Sequence, residues 1–217
     1  MDLKNIANMS AKRAQIYQTL ITVFMWLPDE KFREYIYSPE FGQFLEQHKK
    51  LQYPVISKGV DLIANFLQEN KNANTGGFLE RLAVDRTRLV RVPHSDKFKA
   101  PYESQYHKEM KTSSSLKRLT NAYRKAGFVP ADAKESLDFF CVELDFMRVS
   151  SNRIASAPTE AKALIKLQKD FFNEHPGKWV GVYADNAASH AETDFYKGWL
   201  LILQGFLEIE KLYLESC

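Results

Sequence analysis

The stretch ESLDFFCVELDFM, residues 135–147, decides the fold. Read at about 3.6 residues per turn, it sets Leu137, Phe140, Cys141, Leu144 and Met147 on one apolar face. Phe139, Val142, Phe146 and Val149 make a second, leaving a strip of Asp138, Asp145 and Arg148. A helix apolar nearly all round belongs at the centre of a helical core. Glu143 falls between Phe139 and Met147, inside apolar territory. Its carboxylate therefore needs a hydrogen-bonding partner, an arginine for example, or a raised pKa.

The same helical period, with caps, recurs on both sides of this stretch. Ser10 reads as an N-cap before Ala14, Tyr17, Leu20, Ile21, Phe24 and Met25. Pro28 ends that helix, and Asp29 caps a short one through Tyr37. Ser38-Pro39 is an N-cap followed by proline at the first helical position, a strong start signal. Pro54 opens the next helix, and NKNANTGG (70–77) breaks it. Helix resumes over about 77–92; 92–102 reads as a loop, with a short helix from Glu103. Thr112, Ser113, Ser114 and Ser115 read as a break before a helix that stops at Gly127. The central helix ends near 156–158, Pro158 begins another, and His175-Pro176-Gly177 is a stop. A long helix over about 192–214 closes the chain. The fold expected is all-α, a single globular bundle of about nine to ten helices over residues 1–217. A hinge near 112–134 is the candidate junction of two lobes.

The chain has 217 residues, 45% of them hydrophobic, enough to build such a core. No apolar run reaches the length of a membrane span, and the N-terminus lacks the apolar region of a signal peptide. A cytoplasmic protein is expected. Two cysteines, Cys141 and Cys217, give neither a disulfide framework nor zinc spacing. The net charge of +3 is too mild to argue for nucleic acid.

Catalytic signatures are missing: there is no glycine-rich phosphate loop, HExxH, CxxC or GxSxG, and the five histidines are scattered. The reading is of a protein that is not an enzyme, with no catalytic residue, no metal site and no cofactor. Three stretches still invite a functional reading. In LAVDRTRLVRV (82–92), Asp85 and Arg88 sit among apolar residues, as a solvated ion-paired face or as a buried network with Glu143 or Glu103. In APYESQY (100–106), Pro101, Tyr102, Glu103, Ser104 and Tyr106 gather where a loop becomes a helix, either as a cap or as a binding surface. The central stretch adds Glu135 and Asp138, which a first helical turn would also favour.

Together these stretches resemble the TorD/DmsD/NarJ family of redox-enzyme maturation chaperones. The family's Asp-x-x-Arg-Leu run is matched by Asp85, Arg88 and Leu89, and its Pro-Tyr-Glu-Ser-x-Tyr segment by Pro101, Tyr102, Glu103, Ser104 and Tyr106. A Tyr-Arg-x-Ala-Gly-Phe helix end is matched by Tyr123, Arg124, Ala126, Gly127 and Phe128. The Glu-x-x-Asp-His signature and its Glu-Leu-x-Phe-Met helix are matched by Glu135, Asp138, Glu143, Leu144, Phe146 and Met147. Phe171, Glu174, His175 and Trp179 match a Phe-x-x-Glu-His-x-x-x-Trp segment, and Phe195 and Tyr196 the terminal helix. The family histidine after the aspartate is Phe139 here, and Ser136 and Leu137 stand where a proline is often found between the acids.

The resemblance implies a cytoplasmic chaperone that binds a molybdopterin-containing oxidoreductase subunit, its twin-arginine leader peptide, or both, before cofactor insertion and export. Client-binding residues implied are Asp85, Arg88, Pro101, Tyr102, Glu103, Ser104, Tyr106, Glu135, Asp138 and Phe139, with Glu143 as a structural buried acid. Carboxylates of Glu135, Asp138 and Glu103 at a groove rim would take guanidinium groups, with Tyr102 and Tyr106 beside them. Phe139 in place of histidine implies altered recognition. No nucleic acid and no stable membrane insertion are expected, and the protein is a monomer or a homodimer. The rival reading is a helical nucleic-acid-binding regulator using the basic segments 81–91 and 117–125.

Overall fold

The computed structural model describes residues 2–92, 98–106, 112–130 and 134–217. Its elements are α1 (Leu3–Met25), α2 (Glu30–Ile36), α3 (Pro39–Lys49), α4 (Pro54–Glu69), α5 (Thr75–Val90) and α6 (Glu103–Tyr106). Then come α7 (Thr112–Ala126), α8 (Phe140–Ser156), a 3-10 turn (Pro158–Glu160), α9 (Ala161–Glu174), α10 (Pro176–His190) and α11 (Asp194–Ser216). The fold is all-α, and no strand occurs among the described residues; an isolated antiparallel bridge joins Tyr102 and Phe139. No helix among the described residues is long and apolar enough to cross a membrane.

The chain divides into two compact units. One comprises Met1–Met25, Pro101–Val180 and Glu210–Cys217, and the other Trp26–Ala100 and Gly181–Ile209. In the first unit α1 packs along α8, with the Phe24 and Phe140 rings edge to face at 5.4 Å. A buried polar knot ties α1, α9 and α11 together. Arg13 makes a forked contact with Glu210 and donates to Gln168 Oε1 at 2.9 Å, while Tyr17 donates to Glu210 at 2.8 Å. Gln168 continues the knot into α8 by donating to Ser150 Oγ and Ser151 Oγ, each at 2.8 Å. Arg13 is 4% exposed and Glu210 1%, so the pair has left water entirely. Although burial disfavours its charge, the Glu210 carboxylate holds the Arg13 guanidinium above its ordinary pKa. Gly127, at φ +64°, supplies the left-handed residue that stops α7.

The second unit is built on capped helices. The Asp29 carboxylate accepts from Phe32 N at 2.8 Å, Ser38 Oγ from Phe41 N at 3.2 Å and Asn74 Oδ1 from Gly77 N at 3.1 Å. Trp199 is surrounded by Phe41, Phe44 and Phe195, with ring centroids 5.9–6.4 Å away. Helices α4 and α11 approach so closely that a Cβ on Gly59 would lie 2.5 Å from Gly198 O, and one on Gly198 2.5 Å from Gly59 O. Only glycine fits both places.

Several expected boundaries are corrected. Helix α8 starts at Phe140, not near Glu135. The backbone before it is engaged elsewhere: Glu103 N donates to Asp138 O at 2.8 Å and Phe140 N to Pro101 O at 3.1 Å. Ser10 is not a cap but a buried residue inside α1, whose first turn is already closed by Ile6 N on Asp2 O. The serine-rich run from Thr112 opens α7 and is no break, since hydroxyl residues suit a first turn as well as a turn between helices. Pro176 starts α10 where a stop was expected, because proline is preorganised for a first helical position. The helices therefore number eleven among the described residues, above the expected nine to ten. Within the expected 112–134 hinge, α7 fills residues 112–126, and 131–133 lie outside the described residues. Outside them too lie 93–97 of the expected loop and His107, Lys108, Glu109 and Met110 of the expected helix.

Candidate functional site

The structure sorts the candidate residues into two groups with different surroundings. Asp85 and Arg88 lie on α5 in the second unit. Asp85 is fully buried and accepts from Glu192 N at 3.0 Å, Thr193 N at 2.8 Å and Thr193 Oγ1 at 2.7 Å. These donors lie just before α11, so the carboxylate sits at the positive end of that helix. One turn on, Arg88 pairs with Glu192 and donates to His190 O, fastening the α10–α11 connection from the other side. Leu89 is buried, and its carbonyl accepts from Tyr183 OH at 3.3 Å. The Asp-x-x-Arg-Leu run is thus a clamp on a helix start. Asp85 thus meets the donors of residues 192–193, where the sequence left open either a solvated face or a network of Asp85 or Arg88 with Glu143 or Glu103.

The second group lies wholly in the first unit. The segment 101–106 is clasped against 136–143. Backbone bonds from Glu103 N and Phe140 N frame the Tyr102–Phe139 bridge, and the Tyr102 and Phe139 rings lie 5.5 Å apart. Asp138 accepts from Ser136 Oγ and from Ser104 N. Glu103 is turned inward, with its carboxylate 3.0 Å from His175 Nδ1. Tyr106 packs on Trp179 at 5.0 Å, and partial burial pushes its hydroxyl pKa up to about 12. Pro101 is buried, and Tyr102, Ser104, Tyr106 and Glu135 are half-buried.

Three of these placements correct the expectation of a carboxylate rim. Glu103 and Asp138 are 1% and 2% exposed. They stand behind the surface, spent on His175 and on the turn before α8. Of the three acids, Glu135 alone is half-buried. Phe139 is fully buried and edge to face with Phe140 at 5.1 Å, so its side chain packs inside.

Glu143 is fully buried, as its place on the helical wheel implied. Its partners differ from the expected arginine. Trp179 Nε1 donates to Oε2 at 3.1 Å, Oε1 has no hydrogen-bond partner among the described residues, and the Glu103 and Asp138 carboxyls act on the group through their charge. Burial first, and then Glu103, raise the Glu143 pKa well above the usual carboxylate range. Both effects favour the neutral form of Glu143. His175 and Trp179, on which this cluster depends, stand out in the sequence as matches to a family segment and not as partners of an acid. Their four-residue spacing was the signal that both reach one neighbourhood.

A carboxyl whose pKa is raised by folding stabilises the protein most below the unfolded value near 4.5. That contribution falls as pH climbs toward the folded value. Glu143→Gln keeps an acceptor for Trp179 and has no proton to lose. We expect its melting temperature to fall less than the wild type's between pH 5 and pH 8, whereas Glu143→Ala melts lower at every pH. Parallel melting-temperature–pH curves for wild type and Glu143→Gln would refute this.

Beside the clasp lies a cleft of about 430 Å³ lined by Thr120, Tyr123, Arg124, Gly127, Phe128, Val129, Pro130 and Leu137. Tyr123 OH donates to Leu137 O at 3.1 Å, fastening α7 to the turn that precedes α8. Val129 is 83% exposed at its edge. The wall is chiefly apolar, and the one charged side chain among those lining residues is Arg124.

A family model described as nitrate reductase delta subunit matches residues 43–185. The match covers about two thirds of the chain and includes both groups of candidate residues and the cleft. No curated protein and no solved structure matches the chain.

Proposed function

Because this chain belongs to the nitrate reductase delta subunit family, of the NarJ/TorD type of redox-enzyme maturation chaperones, we propose that it holds a molybdopterin-dependent oxidoreductase catalytic subunit in the cytoplasm until that subunit is assembled. In this reading the 430 Å³ cleft takes an apolar stretch of the client, its leader peptide where the client has one. The observation that carries the reading is an apolar, partly exposed wall of Tyr123, Phe128, Val129 and Leu137 fixed beside the signature turn. Rigid walls lower the ordering cost of binding, and an apolar groove suits a client helix laid in by one face.

The polar roles divide by burial. Glu135, two residues before Leu137, is the acid that would meet a guanidinium of a twin-arginine pair. Glu103 and Asp138 act one step back, as positioning residues that hold the clasp. Pro101, Tyr102, Ser104 and Phe139 belong to the same clasp, and Tyr106 adds amphipathic surface at its edge. Asp85 and Arg88 support folding of the second unit.

A synthetic peptide covering the leader of a candidate client tests this by calorimetric titration. Leu137→Asp and Val129→Asp are expected to weaken binding about tenfold or more each, as a charge in an apolar contact must be desolvated. Lys49→Ala, in the second unit, serves as the control and leaves affinity unchanged. Equal affinity in all variants would place the client elsewhere.

A further inference from the structure

A second, larger cleft of about 720 Å³ shares no residue with the first. Its lining comes from the start of α1 (Ile6), one side of α9 (Ala161, Lys162, Ile165, Lys166, Lys169, Asp170) and the chain end (Ser216, Cys217), all within the first unit. Ala161 and Ile165 form a buried floor with half-buried Ile6. Three lysines face one aspartate around it. Lys166 pairs with Asp170 at 2.6 Å, and both stay largely in solvent, at 75% and 58% exposure. Among the described residues, Lys162 and Lys169 make no ion pair. Among the described residues these two cationic groups thus stand without an ion pair beside an apolar floor, with Cys217 lining the same cleft.

We propose that this face of α9 is a docking site for an acidic amphipathic helix of a protein partner. Lys162, Lys166 and Lys169 stand at i, i+4 and i+7, a row about 10 Å long at 1.5 Å per residue. A partner helix with acids at the same spacing presents its carboxylates at the same pitch, and its apolar face meets Ile165 and Ile6. A compact anion such as phosphate calls for donors converging on one point, whereas these ammonium groups are strung along a row. Exposed ion pairs are individually weak and screened by salt, so the complex is reversible and salt-sensitive.

The test uses a short fluorescein-labelled synthetic helix with a leucine stripe and a row of glutamates, followed by fluorescence anisotropy. A helix with lysine in place of glutamate is the control. Saturable binding by the acidic helix is expected, weakened about tenfold in Lys166→Glu/Lys169→Glu and by added salt. Circular dichroism confirms that the variant folds. A separate readout comes from a maleimide dye on Cys217, which is exposed while Cys141 is buried. Its emission is expected to shift as the acidic helix binds. Unchanged affinity in the double variant, equal binding of the lysine helix or a silent Cys217 dye would overturn the proposal. So would capture of phosphatidylserine vesicles in place of the peptide, or a homodimer that the same double variant dissociates. None of these outcomes bears on the first cleft, because no lining residue is shared.

Discussion

Replacing Arg13 by alanine is expected to destabilise the protein by about 3–5 kcal/mol, the cost of stranding one half of a buried ion pair. Glu210 would remain 1% exposed, with Tyr17 left among its hydrogen-bond donors and no cation beside it. Gln168 would lose one partner while keeping Ser150 and Ser151. At the few degrees per kcal/mol typical of this chain length, the melting temperature should drop by roughly 10 °C. The double replacement Arg13→Met/Glu210→Leu separates the pair's worth from the penalty of breaking it. It removes both charges and fills the space with apolar atoms, and is expected to recover most of the loss. A double variant no better than Arg13→Ala would mean that the forked geometry itself, and not the orphaned charge, sets the stability.

Asp85→Ala is the second large effect, with an expected cost of about 2–4 kcal/mol. Three donors just before α11 would lose their acceptor, two of them on buried Thr193. Asp85→Asn, with one carbonyl oxygen in place of two carboxylate oxygens, should cost about half as much. Chemical denaturation followed by helicity reports both. Because the role is structural, client-peptide affinity per folded molecule is expected to stay unchanged in Asp85→Asn. A selective loss of affinity with intact stability would return Asp85 to the client-binding set.

What the sequence made legible follows how local each cause is. Asp29 and Ser38 act on backbone groups three residues away, so their caps could be read directly. The apolar faces of 140–147 were equally plain, and with them the burial of Glu143. The start of α8 was misread because the competing partners, Pro101 and Glu103, lie more than thirty residues upstream. The same distance hid the exchange of roles among the acids. Asp138 looked like a first-turn surface residue, yet its carboxylate is taken by Ser136 and by the backbone of Ser104. Glu143 called for a partner on helical grounds, but nothing in its neighbourhood of sequence named Trp179, thirty-six residues on. Asp85 and Arg88 were seen as charges in need of explanation. Their answer, the start of α11, is more than one hundred residues away. Family resemblance marked these residues alike, and the structure separates the buried ones from the half-buried ones.

In the function we propose, the protein holds an immature molybdoenzyme catalytic subunit through the cleft at Tyr123, Val129 and Leu137. The most direct measurement is affinity purification of the tagged chain from its native cells, with the captured proteins identified by mass spectrometry and their molybdenum quantified. The expected result is recovery of a molybdopterin-dependent catalytic subunit lacking its metal, and its loss from a Val129→Asp/Leu137→Asp chain that still folds. Recovery of a fully metallated enzyme, of nucleic acid, or of the same subunit undiminished by the double variant would contradict it.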